Sequence, residues 1–297
     1  MDVLSDAIGA MRLGRPHSAR TAFESPWEQH FEPQQGAGFH VILQGSCRLI
    51  PAVGEPILLG VGDVAFLPRE LGHGIAGPDG SGFTQMLCGA YSLDQSRAHP
   101  LFAELPDVVH LPARVGRHPS LHGAIELLGQ ELDRDTPLGG DAALPALLDL
   151  LLLYLVRAWY DDRPGDTATG WAAALRDPAV AAALRAVHEE PERPWTVQSL
   201  AGHAGLSRAA FARRFTDLVG SPPLAYLTWW RMTMAARLLR DTELPLRAVA
   251  ARTGYTSEFA FARAFKREFG AAPGRYRHGS ADGSGRSGLG GEQEAGS

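Results

Sequence analysis

Cysteine is scarce: the chain holds two, Cys47 and Cys88, in 297 residues. That number excludes a disulfide framework, fits a reducing cytosol, and leaves room for a single bridge at most. A secretory leader is not expected either, since Met1-Asp2-Val3-Leu4-Ser5-Asp6 carries two acids and no basic start. Long uninterrupted apolar runs are absent. The most apolar stretch, Leu144 to Tyr160, is interrupted by Pro145, Asp149 and Arg157 and falls short of a membrane span. It reads as a buried or dimer-facing helix, and a cytoplasmic protein without a membrane partner is expected. Net positive charge is lacking as well: the formal total is -5, which would argue against a nucleic-acid partner if it were spread evenly.

It is not spread evenly. Trp195 to His278 holds 13 Arg+Lys against 5 Asp+Glu, so the rest of the chain holds 15 against 28. A basic module is attached to an acidic remainder, and the length favours two domains.

Residues 19–92 show short apolar runs, such as Phe39-His40-Val41-Ile42-Leu43 and Val64-Ala65-Phe66-Leu67, punctuated by glycines. Closely spaced strands of this kind predict a small β-sandwich or barrel. At Leu121, Ile125, Leu128 and Leu132 the period changes to three or four, and Leu144 to Trp159 continues as a second helix after a break at Thr136–Gly140. The expected fold class is α+β. A β-rich domain over 1–120 is followed by a helical hairpin over 121–160, a polar linker over 161–177, an all-α domain over 178–278 and a disordered tail over 279–297.

The all-α segment repeats itself. Ala201, Gly205 and Leu206 recur 49 residues later as Ala250, Gly254 and Tyr255. Ser207, Phe211, Arg213, Phe215, Gly220, Pro223 and Tyr226 recur 50 later as Ser257, Phe261, Arg263, Phe265, Gly270, Pro273 and Tyr276, with Thr256 as the inserted residue. Each copy has helix-turn-helix grammar: a small residue where two helices cross, a glycine ending the first, and a capping residue opening the second. Ser207, and Thr256 or Ser257, are the expected caps, with Thr196 and Pro245 opening the first helices. Phenylalanines four apart in each second helix face a core, which turns Ala209, Arg213, Phe259 and Arg263 outward. Leu224 to Arg240 joins the units as a helix of about 17 residues, roughly 25 Å long.

These residues, with Trp230-Arg231-Met232, Leu238-Leu239 and Tyr276-Arg277, resemble the DNA-binding domain of the AraC/XylS family of transcription regulators over about 80 positions. The resemblance implies double-stranded promoter DNA and RNA polymerase as partners. It places base reading at Ala209, Ala212 and Arg213, then at Phe259, Ala260 and Arg263. Ser207, Arg208, Arg214, Ser257, Glu258, Lys266 and Arg267 complete the expected DNA-contact set. The alanines and Phe259 suit thymine methyls, the two arginines suit guanine, and the flanking cations suit phosphates.

The β-rich half resembles a cupin-like sensor domain. Gly62-Asp63-Val64-Ala65-Phe66-Leu67-Pro68, with His73 following, matches the second cupin motif, although Glu70 and Gly77 depart from it. In the first motif Ile42 replaces the second histidine after His40, and Ser46 or Cys47 falls where a glutamate would bind metal. Three readings stay open for His40, Cys47, His73 and Cys88. They are a zinc or other divalent-metal site, a redox-sensing thiol, and an effector pocket lined by histidines. The expected function is a sequence-specific regulator modulated by a small-molecule or redox effector, with the hairpin serving as a homodimer surface or as plain internal packing. The chief rival is a cupin enzyme, against which the missing ligands count, and the other is a sequence-indifferent architectural DNA binder held by phosphates.

Overall fold

The computed structural model describes residues 3–13, 15–69, 71–78, 82–93, 98–114, 116–133, 138–162 and 170–283. The chain divides into two compact units, one built mainly on residues 2–177 and the other mainly on residues from 178 onward.

In the first unit, helix α1 (Val3–Met11) precedes β1 (His17–Glu24), β2 (Glu28–Phe31), β3 (Ala37–Gln44), β4 (Cys47–Pro51), β5 (Ile57–Leu59), β6 (Val64–Leu67), β7 (His73–Ala76) and β8 (Phe83–Tyr91). Helix α2 (Pro100–Ala103), strand β9 (Val109–Leu111), and helices α3 (Pro119–Leu132), α4 (Gly140–Asp162) and α5 (Gly170–Arg176) complete it. The strands form two antiparallel sheets, ordered β1-β8-β3-β6-β9 and β2-β7-β4-β5. Ile42, Cys47, Leu49, Leu59, Ala65, Ile75 and Met86 from both sheets make one apolar core.

Strand β3 is buried on both faces. Alternation sends His40 and Ile42 into the interior, while Phe39 and Val41, also buried, point the other way. On that outer side Phe39 lies across from Gly89, where any Cβ would sit 2.3 Å from the ring. Next to it, Tyr91 donates to the Leu148 carbonyl of α4 at 2.8 Å. Helices α3 and α4 pair as an antiparallel hairpin and also pack on β1. Arg12 bonds Asp149, Arg20 bonds Asp133, and Tyr160 donates to the Leu101 carbonyl at 2.8 Å. By length and composition α4 is apolar enough to cross a membrane, yet Leu148, Leu151, Leu152, Leu155, Val156 and Tyr160 are buried inside this unit. The expectation that this stretch falls short of a span fails by this measure, even with Pro145, Asp149 and Arg157 in it; 33% of its most apolar window is buried.

Two expected boundaries differ from the structure. The segment 161–177, read as linker, contains the end of α4 and all of α5. Trp171 holds α5 in place: it is buried, its backbone N–H donates to Glu104 Oε1 at 2.7 Å, and its ring meets His99 edge-on. The polar residues before it hide that anchor from a composition reading, and residues 163–169 lie outside the described set. The tail read as disordered from 279 is helical to Gly283, where α12 ends, and residues 284–297 lie outside the described set. Glu70, Thr136 and Pro137 also lie outside it.

The second unit is α6 (Pro178–Glu189), α7 (Val197–His203), α8 (Arg208–Val219), α9 (Pro223–Asp241), α10 (Leu246–Arg252), α11 (Glu258–Phe269) and α12 (Pro273–Gly283). Thr196 caps α7 through a reciprocal box with Ser199, and Pro245 stands at the N-cap of α10, each where the sequence placed it. Phe211, Phe215, Phe261 and Phe265 are fully buried, and truncating such a ring costs about 3–5 kcal/mol. Around the second pair gather Met232, Ala235, Ala236 and Leu239 of α9 with Val249 and Ala250 of α10.

Candidate nucleic-acid interface and sensor interior

The two turns of the repeat are built alike. In each, the N–H five residues along donates to the buried alanine's carbonyl, Leu206 to Ala201 and Tyr255 to Ala250, both at 2.9 Å. Gly205 and Gly254 between them take φ of +68° and +76°, the left-handed conformation this helix ending requires. The second helices then start on serine: Ser207 Oγ accepts from Ala210 N at 3.3 Å and Ser257 Oγ from Ala260 N at 3.4 Å. Thr256 is therefore not the cap. Gly220 and Gly270 end these helices in the left-handed region.

What the two helices leave in solvent follows the expected phase. Ser207, Arg208, Ala209, Arg213 and Arg214 of the first are exposed, and Ala212 is half-buried. In the second, Glu258, Phe259, Ala260, Arg263, Lys266 and Arg267 are exposed, while Ser257 is half-buried. Glu258 lies in the first turn of α11, where a carboxylate complements the helix dipole. Phe259 is 85% exposed.

Behind these faces lies an arrangement that the sequence did not reveal. Arg231 of α9 donates from Nε to the Pro191 carbonyl at 2.6 Å and from a terminal nitrogen to the Arg193 carbonyl at 2.8 Å. The same guanidinium presses on the second turn, where a Cβ on Gly254 would come within 2.5 Å of it. Burial lowers the pKa of Arg231. One side chain thus ties the loop entering the first helix-turn-helix to the turn of the second. Gly205, the equivalent glycine, has no neighbour within 4 Å of such a Cβ.

In the β unit, His40, His73 and Cys88 meet between the sheets. Register explains two of the contacts. His40 pairs across from Cys88 in neighbouring strands, placing Nδ1 3.0 Å from Sγ. Phe31 pairs across from His73, and their rings stack at 4.6 Å. The third contact crosses from one sheet to the other: His40 Nε2 lies 2.7 Å from His73 Nε2. Thr21 Oγ1 approaches Cys88 Sγ at 3.9 Å. Burial, followed by the neighbouring His73, lowers the His40 pKa to about 3, so His40 is neutral at physiological pH. Burial raises Cys88 to about 11, with Thr21 opposing; burial and Cys88 raise Cys47 to about 12. Both cysteines are free thiols.

Those directions bear on the open readings. A metal needs several lone pairs that converge on one point; His40 Nε2 and His73 Nε2 face each other, while His40 Nδ1 is turned to Cys88. Among the described residues no group of three or more His, Cys, Asp or Glu side chains is disposed to hold a metal. Cys47 is buried and Cys88 partly so, and the raised pKa of each disfavours the thiolate of a reactive cysteine.

A double-sheet interior with a small polar cluster, in a chain that also carries two serine-capped helices with exposed basic faces, defines a sensor-and-helix-turn-helix regulator. Comparison with known families agrees. A family model described as cupin matches residues 2–161 and one described as helix-turn-helix domain matches residues 200–279. A putative AraC-like transcription regulator of Streptomyces antibioticus is 33% identical over 300 residues, covering 93% of this chain and 98% of its own. The HTH-type transcriptional regulator AlkR of Acinetobacter baylyi is 30% identical over 309 residues, covering 93% and 99%. The RCS-specific HTH-type transcriptional activator RclR of Escherichia coli is 35% identical over 242 residues, covering 80% and 83%. The chain belongs to the AraC family of DNA-binding transcription regulators, with a cupin domain ahead of its helix-turn-helix domain.

Proposed function

We propose that α8 and α11 are two reading heads that enter successive major grooves of promoter DNA. Ala209, Ala212 and Arg213 face bases in one groove, and Phe259, Ala260 and Arg263 face bases in the next. Ser207, Arg208, Arg214, Ser257, Lys266 and Arg267 lie along the phosphates, where they position the protein without reading sequence. The observation that carries this is the duplicated turn, with an exposed arginine at the same phase of each second helix. Purified full-length protein is to be used to capture duplexes from a random-sequence library. On the enriched duplex Arg263→Ala is expected to lose about 1–3 kcal/mol of affinity, and much less on unrelated DNA. Equal losses on both would replace sequence reading with indiscriminate phosphate binding.

The interior of the cupin domain is proposed as the sensor, with His40, His73, Cys47 and Cys88 as its polar set. A small organic effector suits it better than an oxidant or a metal ion, because the thiols are held protonated and, among the described residues, no third ligand joins the two imidazoles. Phe23, Trp27 and Phe31 pack around the same core, which favours an effector with an apolar or aromatic body and one polar group. On this reading the chain acts in the cytoplasm, engages RNA polymerase, performs no catalysis of its own, and uses the exposed side of the α3–α4 hairpin to form a homodimer.

A further inference from the structure

Phe259 combines size with exposure in a way the fold does not require. Its neighbours Phe261 and Phe265 fill the core completely, whereas Phe259 stands 85% exposed as the second residue of α11. The corresponding residue of α8, fifty positions earlier, is Ala209. Along α11 the same face continues one turn later with Arg263, and beyond it lie Lys266 and Arg267, all exposed. An apolar ring set among cations on a helix face matches a surface that is negatively charged overall and locally apolar. In the major groove of B-DNA, the apolar group that a base pair presents is the thymine 5-methyl. In a helix-turn-helix, the N-terminal residues of the second helix are the ones that reach base edges.

We infer that α11 reads a thymine through its 5-methyl group with Phe259 and a guanine with Arg263. The first head has the smaller Ala209 in the equivalent place, which covers less of such a methyl. Four residues of helix advance about 6 Å, the height of about two base pairs, so the thymine and guanine lie about two steps apart. This rests on the DNA-reading role of α11 proposed above. The ring's exposure also means that removing it leaves the core of the domain untouched.

The test replaces each thymine of the library-enriched duplex, one at a time, by deoxyuridine, which deletes the methyl and keeps the base pair. Wild-type protein is expected to lose about fourfold in affinity, the equilibrium factor for one buried methyl-sized group, at a thymine about two steps from a guanine. Phe259→Ala is expected to bind the thymine and uracil duplexes equally. No loss at any thymine, or the same loss in Phe259→Ala, would overturn the assignment. A Phe259→Ala protein that binds every duplex like wild type but no longer alters transcription would assign the ring to a protein partner, also overturning it. Failure of the library to enrich any sequence would instead remove the DNA-reading role itself, and this assignment with it.

Discussion

His40 sits fully buried between a thiol and a second imidazole, and its pKa near 3 lies below the 6.5 of an exposed histidine. The folded protein therefore favours the neutral ring, while the unfolded chain binds a proton there at any pH below about 6.5. The sign follows: this contribution to stability is present in full above the unfolded pKa and shrinks as pH falls from 6.5 toward about 3. Urea unfolding followed between pH 7.5 and 4.5 is expected to show falling stability, with a shallower fall in His40→Gln, which does not titrate. Parallel pH profiles for the two proteins would remove His40 as the cause. The sequence named His40, His73 and both cysteines as a group but did not indicate how they connect. The contacts depend on which strands are neighbours and in what register, and register is a property of the whole sheet. For the same reason Phe31, stacked on His73, and Thr21, beside Cys88, were not identifiable in the sequence.

At the scale of elements the C-terminal domain was far more legible. Helix caps, glycine endings and the phase of the core phenylalanines are local chemistry, and Thr196, Ser207, Pro245, Gly205 and Gly254 all take the expected roles. What local chemistry did not disclose is that the two copies are supported differently. Gly205→Ala meets no neighbour and is expected to cost only the left-handed conformation, about 1–2 kcal/mol. Gly254→Ala carries the same cost and also displaces the Arg231 guanidinium from the Pro191 and Arg193 carbonyls. Chemical denaturation should therefore rank Gly254→Ala as clearly the less stable variant. Equal stabilities would mean that Arg231 yields without losing its bonds. Helix α5 escaped notice for the opposite reason: its anchor, Glu104, is distant in sequence, and its flanks have the composition of a linker.

For the whole molecule, an acidic first half and a basic last third make the formal charge a poor guide to partners. Association with DNA is expected to weaken steeply with salt, since each phosphate neutralised contributes about 0.9 to the slope of log K against log salt. Lys266→Ala is expected to reduce that slope by about one and to weaken all duplexes alike. Fluorescence anisotropy over a salt series measures both, and an unchanged slope would take Lys266 off the phosphates.

Because the helix-turn-helix units are successive copies along one chain, related by repetition and carrying Ala209 in one place and Phe259 in the other, they form a pair with a front and a back. Two identical reading heads around a twofold axis fit a palindrome and are indifferent to which way the duplex runs. Here, on the proposed reading, a duplex turned end for end offers the wrong bases to each helix. The binding site then has a polarity, and a single bound copy points along the chromosome toward one of the two flanking genes.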